Sequence, residues 1–156
     1  MVKGMLSKRE ETFFLSGFID ETFEFSALLP SQGGQLKLNF QAVLGISSLG
    51  LRHLIDLLAT LENKSVAFFE CPRLFVELFN HMPQVYGGRR HARRIVSCYA
   101  PYCCPACSLS VDVLVPLESV RFDCHELIVP SAKCHICRSA MNFIGDPMEY
   151  FLFTYG

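Results

Sequence analysis

The sequence predicts an α/β fold, a parallel or mixed sheet with helices packed on it, followed by a small β subdomain tied together by cysteines. Three observations carry that prediction. Leu36, Leu38 and Phe40 alternate with Lys37, Asn39 and Gln41, as a strand with one buried face requires, and then Leu51, Leu54, Ile55, Leu58 and Leu61 recur at helical spacing. The switch repeats: Ser65 to Phe69 (SVAFF) is a short unbroken apolar run, and Leu74, Phe75, Leu78, Phe79 and Met82 give the following helix an apolar face. Strand, helix, strand, helix at this spacing implies crossover connections that layer the helices on the sheet. Finally, the last third carries two Cys-x-x-Cys pairs, Cys104-Pro105-Ala106-Cys107 and Cys134-His135-Ile136-Cys137.

In chain order, Met1 to Arg9 is polar and expected to fray. Thr12 to Ser16 is a β-prone first strand running into the turn Gly17-Phe18-Ile19-Asp20, where Asp20 is expected to cap a short helix carrying Phe23, Phe25, Leu28 and Leu29. Pro30 with Gly33-Gly34 closes that unit. The central stretch from Val43 to Leu58, VLGISSLGLRHLIDLL, is where the next strand ends and the main helix begins. Serine favours the N-cap because its oxygen accepts from a free first-turn amide, so Ser47 and Ser48 are the cap candidates, and Gly50 lets the backbone turn. Arg52, His53, Asp56 and Glu62 fall on the polar face of this helix. Asn63-Lys64 turns the chain into the next strand, Pro72 starts the second helix, and Ile95 to Tyr99 forms a further strand. The expected division is an N-terminal tail at 1–9, an α/β domain at 10–99 and a subdomain at 100–156.

Composition bounds the function. The chain has 156 residues, 51% of them apolar and 14 of them Phe, ample for a sizeable core and enough to suggest that some apolar surface is covered by a partner. No run approaches the roughly 18 apolar residues of a membrane span, and Met1 to Glu11 lacks the apolar centre of a signal peptide, so a cytoplasmic location is expected. A net charge of −1 gives no global bias toward nucleic acid or membrane. The loop Gly87 to Arg94 (GGRRHARR) concentrates four arginines, Arg89, Arg90, Arg93 and Arg94, with His91. Arginine forks suit phosphate oxygens, but without interleaved aromatics this loop is read first as a solvated turn, and a nucleic-acid role is not built on it.

Eight cysteines without a signal peptide point to metal rather than to disulfides. Cys104, Cys107, Cys134 and Cys137 form two knuckles separated by 26 residues, Ser108 to Lys133, and four thiolates brought together by two tight turns suit the tetrahedral sulfur site that Zn²⁺ prefers. This is a zinc-ribbon signature. Leu109, Val111, Val113 and Val115 alternate as a strand between the knuckles, and Glu149 to Phe153 offers another after them. So small a lobe has little core of its own, and metal binding would supply its folding energy. Three alternatives stay open. Cys-Pro-x-Cys resembles the thioredoxin redox motif, which would make Cys104 and Cys107 a thiol enzyme's pair. A catalytic zinc would keep one position for water. Cys103, His125 or His135 would each replace a ligand with a change of spacing. Cys71, Cys98 and Cys124 lack paired spacing and read as small buried hydrophobes, and His81 falls near a helix end where an imidazolium suits the dipole. No phosphate-cradling glycine loop, hydrolase elbow or zinc-protease pattern is present, so no enzymatic constellation is expected.

The pattern V-x-x-I-S-S-x-G-L, here Val43 to Leu51, resembles the core segment of the STAS family, named for sulfate transporters and anti-sigma factor antagonists, and the resemblance covers roughly residues 10 to 97. The turn Gly17 to Asp20 is similar to the G-x-x-D after an early strand of that family. In the bacterial antagonists the residue matching Ser48 is phosphorylated by a partner kinase; where the family usually carries Asp before it, this chain has Ser47. The resemblance implies a non-enzymatic STAS-like interaction module. Its face around Ser47, Ser48, Gly50, Arg52 and His53 would bind an anti-sigma factor or kinase, and phosphorylation would release it. Some STAS domains attach to membrane transporters, so an accessory subunit of a transport complex is the alternative it implies.

Overall fold

A computed structural model describes residues 3–9, 12–28, 35–61, 64–82 and 93–154. The Pro30 and Gly33-Gly34 turn, Asn63 and the Gly87 to His91 part of the basic loop lie outside the described residues.

The α/β class stands. Strands β1 (Met5–Arg9), β2 (Thr12–Ile19), β3 (Gln35–Ile46), β4 (Ser65–Phe69) and β5 (Arg93–Ile95) form one mixed sheet in chain order, antiparallel between β1 and β2 and parallel thereafter. Helices α1 (Ser48–Thr60) and α2 (Arg73–His81) make the crossovers. Each turns its apolar stripe inward: Leu54, Leu57 and Leu58 of α1 and Phe75, Val76 and Phe79 of α2 are buried against Leu36, Leu38, Phe40, Val66 and Phe68 of the strands. A second sheet, ordered β10-β11-β6-β7, follows from β6 (Ser97–Cys103), β7 (Ser110–Pro116), β10 (Ala132–Lys133) and β11 (Ala140–Phe143), while β8 (Arg121–Asp123) and β9 (Glu126–Ile128) pair as a separate hairpin. A third, short helix, α3 (Pro147–Tyr150), leads into a 3-10 turn at Leu152–Thr154.

Several expectations change. Met5–Arg9, expected to fray, is an ordered edge strand, paired from Met5↔Ser16 to Arg9↔Thr12. The helix after Asp20 reduces to a 3-10 turn at Ser26–Leu28: Asp20 accepts from the Thr22 amide at 2.9 Å and hydroxyl at 2.7 Å, but Phe23 and Phe25, both buried with rings 4.7 Å apart, lie two residues apart and do not share a helix face. Glu149 to Phe153 is not a strand: Asp146 caps α3 by accepting from the Met148 amide at 2.8 Å, with Pro147 at the first helical position. The strand expected at Ile95 to Tyr99 divides at Val96, Ile95 ending β5 in the first sheet and Ser97 opening β6 in the second, and the boundary drawn at residue 100 falls inside β6.

That strand matters because it serves both halves. At its start, Cys98 pairs through the backbone, as an isolated parallel β-bridge, with Cys71 just beyond β4, the Cys71 amide donating to Ser97 O at 3.1 Å and the Tyr99 amide to Cys71 O at 2.9 Å. At its end it delivers the first knuckle. The core is correspondingly one cluster. A chain of rings runs through it, Phe40 to Phe75 (4.4 Å between centroids), Phe75 to Phe79 (6.2 Å), Phe79 to Phe153 (6.4 Å), Phe153 to Phe151 (6.2 Å), Phe151 to Phe143 (5.9 Å) and Phe143 to Tyr102 (5.9 Å). Such contacts add about 0.5–1.5 kcal/mol each beyond the area they bury. The phenylalanines therefore tie the cysteine-bearing lobe to the α/β half.

Candidate metal centre

Each Cys-x-x-Cys pair is a tight turn closing an antiparallel strand pair, and the two turns are built alike. Cys103↔Ser110 closes β6 and β7, and Lys133↔Ala140 closes β10 and β11. In the first turn the Cys104 amide donates to Leu109 O and the Ser108 amide to Cys104 O, both at 2.8 Å. In the second the Cys134 amide donates to Ser139 O at 2.9 Å and the Arg138 amide to Cys134 O at 3.0 Å. Ser108 (φ +57°) and Arg138 (φ +64°), each just after the second cysteine, take the left-handed conformation that brings the chain back into the sheet. Pairing of β11 with β6, Asn142↔Cys103 and Phe143↔Tyr102, then sets the two turns side by side.

The sequence-predicted quartet is thereby assembled. Cys104 Sγ lies 3.4 Å from Cys137 Sγ, Cys107 Sγ 3.6 Å from Cys134 Sγ and 3.7 Å from Cys137 Sγ, and all four sulfurs fall within 4.8 Å of one another. A tetrahedron with metal–sulfur arms of about 2.3 Å has edges of about 3.8 Å, close to these three distances, so the cluster could hold a metal ion. Cys104 and Cys134 are buried, Cys107 and Cys137 exposed, so the centre has a dry inner side and an open outer one.

The thiols are electrostatically unequal. The Ser139 side chain, then its amide, holds Cys137 down at about 6. Amides of Cys137 and Ile136 lower Cys134. At Cys107 the Leu109 amide works downward, but desolvation and the neighbouring thiols of Cys104, Cys134 and Cys137 outweigh it and push the group up to about 12. A metal ion would displace the remaining protons, because only thiolates ligate.

The other candidates do not join. Among the described residues the cluster consists of these four cysteines; Cys103 Sγ faces Cys104 O at 3.8 Å, and His125 and His135 are exposed outside it. Cys104 opens a turn leading to β7, not a helix whose N-terminus would activate a thiol. Cys71 and Cys98 are buried hydrophobes, and burial pushes both thiols up, Cys98 to about 12, whereas Cys124, expected to be buried with them, is exposed at the turn between β8 and β9.

At the start of α1 the serines divide their roles. Ser47, not Ser48, is the N-cap: its Oγ accepts from the Gly50 amide at 3.0 Å and its own amide donates to Ile19 O at 2.8 Å. Ser48 is the first helical residue, exposed, and among the described residues its hydroxyl has no protein partner. Gly50 is buried for a reason the turn alone did not suggest: a Cβ there would strike the Ile19 carbonyl and the Asp20 nitrogen. Arg52 and His53 are exposed on the next turn.

Leu44 was missed. Register steps from Gly17↔Val43 to Phe18↔Gly45, leaving Leu44 as the extra residue of a β-bulge that throws it outward, 71% exposed, and Leu49 beyond the turn is 52% exposed. The change of burial phase in β3, from Leu36, Leu38 and Phe40 to Val43 and Gly45, lies before Leu44 and belongs to a first irregularity between Phe14↔Asn39 and Ser16↔Ala42.

Of the basic loop, Arg93 is buried and donates to Leu58 O at 2.6 Å, capping the last turn of α1 from outside, while Arg94 is exposed. Among the described residues no helix is long and apolar enough to cross a membrane. Comparison of the chain with protein-family models, curated proteins and solved structures finds no match.

Proposed function

We propose that this chain is a non-enzymatic regulatory docking module, a STAS-like α/β unit of the anti-sigma factor antagonist kind. It binds a protein partner through the start of α1, is released by phosphorylation of Ser48, and is completed by a structural zinc ion on Cys104, Cys107, Cys134 and Cys137. The observation that carries this reading is the freedom of Ser48: capping is done by Ser47, so the Ser48 hydroxyl is open to modification without loss of a structural bond. Leu44 and Leu49 stand exposed on either side of it in sequence, an apolar pair suited to a partner's surface. A phosphate at the first helical residue meets unsatisfied amides and the positive end of the helix dipole, so the fold tolerates it, while the added charge repels an apolar partner. Four thiolates leave no position for water or substrate, which supports a structural role, and sulfur-rich tetrahedral sites favour Zn²⁺.

The test is affinity capture from a cell extract with the metal-loaded chain, its Ser48→Asp variant and a Leu44→Asp/Leu49→Asp variant, followed by mass spectrometry. Proteins retained by the parent and lost by both variants support the proposal, and an integral membrane transporter among them would mark the module as a transport accessory. If all three baits retain the same set, docking at the start of α1 is wrong. Metal analysis of the purified chain should find one zinc per molecule; a reducible Cys104–Cys107 disulfide in its place would return the lobe to thiol chemistry.

A further inference from the structure

A second surface, sharing no residue with the face at the start of α1, lies where α2 meets α3. The groove between them encloses a cavity of about 340 Å³. Val76, buried on α2, belongs to its lining, and Ile144 (44% exposed) and Leu152 (49% exposed) present apolar surface from the opposite wall. Glu77, Asp146 and Glu149 bring three carboxylates into the same lining; of its two basic side chains, Arg73 is already engaged with Asp112 at 3.8 Å and His81 is an exposed imidazole at the end of α2. Asp146 uses an oxygen to cap α3 but keeps its charge. Among the described residues neither Glu77 nor Glu149 forms an ion pair.

The walls are held in place before anything binds. Asn80 of α2 donates through Nδ2 to Tyr150 O at 2.9 Å and Glu149 O at 3.3 Å, and its Oδ1 accepts from the Phe153 amide at 2.9 Å. Across from α2, the Tyr150 hydroxyl donates to Tyr99 O at 2.6 Å, pinning the third helix to β6. A pre-formed cleft saves its occupant the cost of ordering it. Apart from the cap that Asp146 supplies, like charges gathered along an apolar strip do not stabilise the isolated chain, but they select a positively charged occupant and repel nucleic acid or an acidic peptide.

We propose that the α2/α3 groove binds a short basic segment of a partner protein, an aliphatic side chain resting on Ile144 and Leu152 and Lys or Arg groups meeting Glu77 and Glu149. The proposal stands apart from the reading of Ser48 and survives its failure. Random short peptides displayed on phage, selected on the metal-loaded full chain, supply the probe; the consensus peptide is then labelled and its affinity read by fluorescence anisotropy at low and high salt. Enriched peptides should carry Lys or Arg flanking an aliphatic residue, bind more weakly at high salt, and lose about tenfold or more in affinity to Glu77→Lys/Glu149→Lys while binding Glu118→Lys unchanged. Should the charge reversal lower metal content or melting temperature, Glu77→Gln/Glu149→Gln makes the same comparison with less perturbation. Selection that yields no peptide, or only acidic or uncharged ones, overturns the proposal. So does binding that survives both double variants, or that weakens equally in Glu118→Lys. A concentration-dependent rise in mass by light scattering, abolished by the double variants, would put a second copy in the groove and also refute a basic peptide as occupant.

Discussion

Replacing Ser47 by alanine should destabilise the chain, and replacing Ser48 should not. The Ser47 hydroxyl accepts from the Gly50 amide at 3.0 Å in a half-buried position, where water only partly restores the lost bond. Loss of a serine cap costs about 1 kcal/mol. For a chain of this size that corresponds to a melting temperature lower by roughly 2–4 °C. Ser48→Ala removes a hydroxyl with no protein partner and should stay within about 0.5 kcal/mol of the parent. Ser48→Asp adds a negative charge at the helix start and should stabilise by about 0.3–1 kcal/mol at low salt, an advantage that fades as salt is raised. The assay is thermal and urea unfolding of the metal-loaded proteins by circular dichroism. If Ser48→Ala costs as much as Ser47→Ala, the division of labour between the serines is refuted, and with it the argument that Ser48 is spare for modification.

Removing the metal with a chelator should abolish the near-ultraviolet signal of the ring chain that includes Tyr102 and Phe143 and lower the melting temperature of the whole chain in one transition, because the core is continuous; two separate transitions would contradict that. Ser108→Gly and Arg138→Gly should each stabilise by about 1 kcal/mol, read as a higher urea midpoint, since both sites hold non-glycine residues in the left-handed region. Metal affinity should rise with pH through neutrality, because Cys107, pushed up to about 12 in the free thiol cluster, must surrender a proton to ligate. It should fall more steeply below about pH 6, where Cys137 also binds a proton in the metal-free protein. Chelator competition from acid to mildly alkaline pH measures both limbs, and a flat profile would contradict the thiolate site.

Much of this architecture was legible because burial writes a period into the sequence. The alternation at Leu36 to Phe40 and the helical stripe from Leu54 to Leu58 are the inner faces of β3 and α1, and the two cysteine pairs needed only their spacing. What escaped lacks such a trace. β1 is an edge strand with most side chains in solvent, so Met5 to Arg9 shows no apolar alternation. The aromatic run Glu149 to Phe153 looked β-prone, and tertiary packing along the ring chain overrode that propensity; the Asp146-Pro147 pair was the available helix-start signal. Gly50 was legible as a glycine that mattered, but its contact with Ile19 is a meeting of residues distant in sequence. Leu44 left no trace, because Val43, Leu44 and Gly45 alternate as in a regular strand and the bulge is visible only in the pairing with β2.

Strand β6 has an implication for anyone who would treat the cysteine lobe as a removable cassette. A cut ahead of Ser97 takes from β4 its neighbour at Cys71 and uncovers Phe79 where Phe153 had sat, leaving a sticky, unfinished front piece. A cut behind Cys103 leaves that neighbour in place but severs the first sulfur pair from its anchor. Neither half can be lifted out whole, so hybrids made by grafting this cysteine lobe onto another scaffold will have to carry the tail of the α/β sheet along with it.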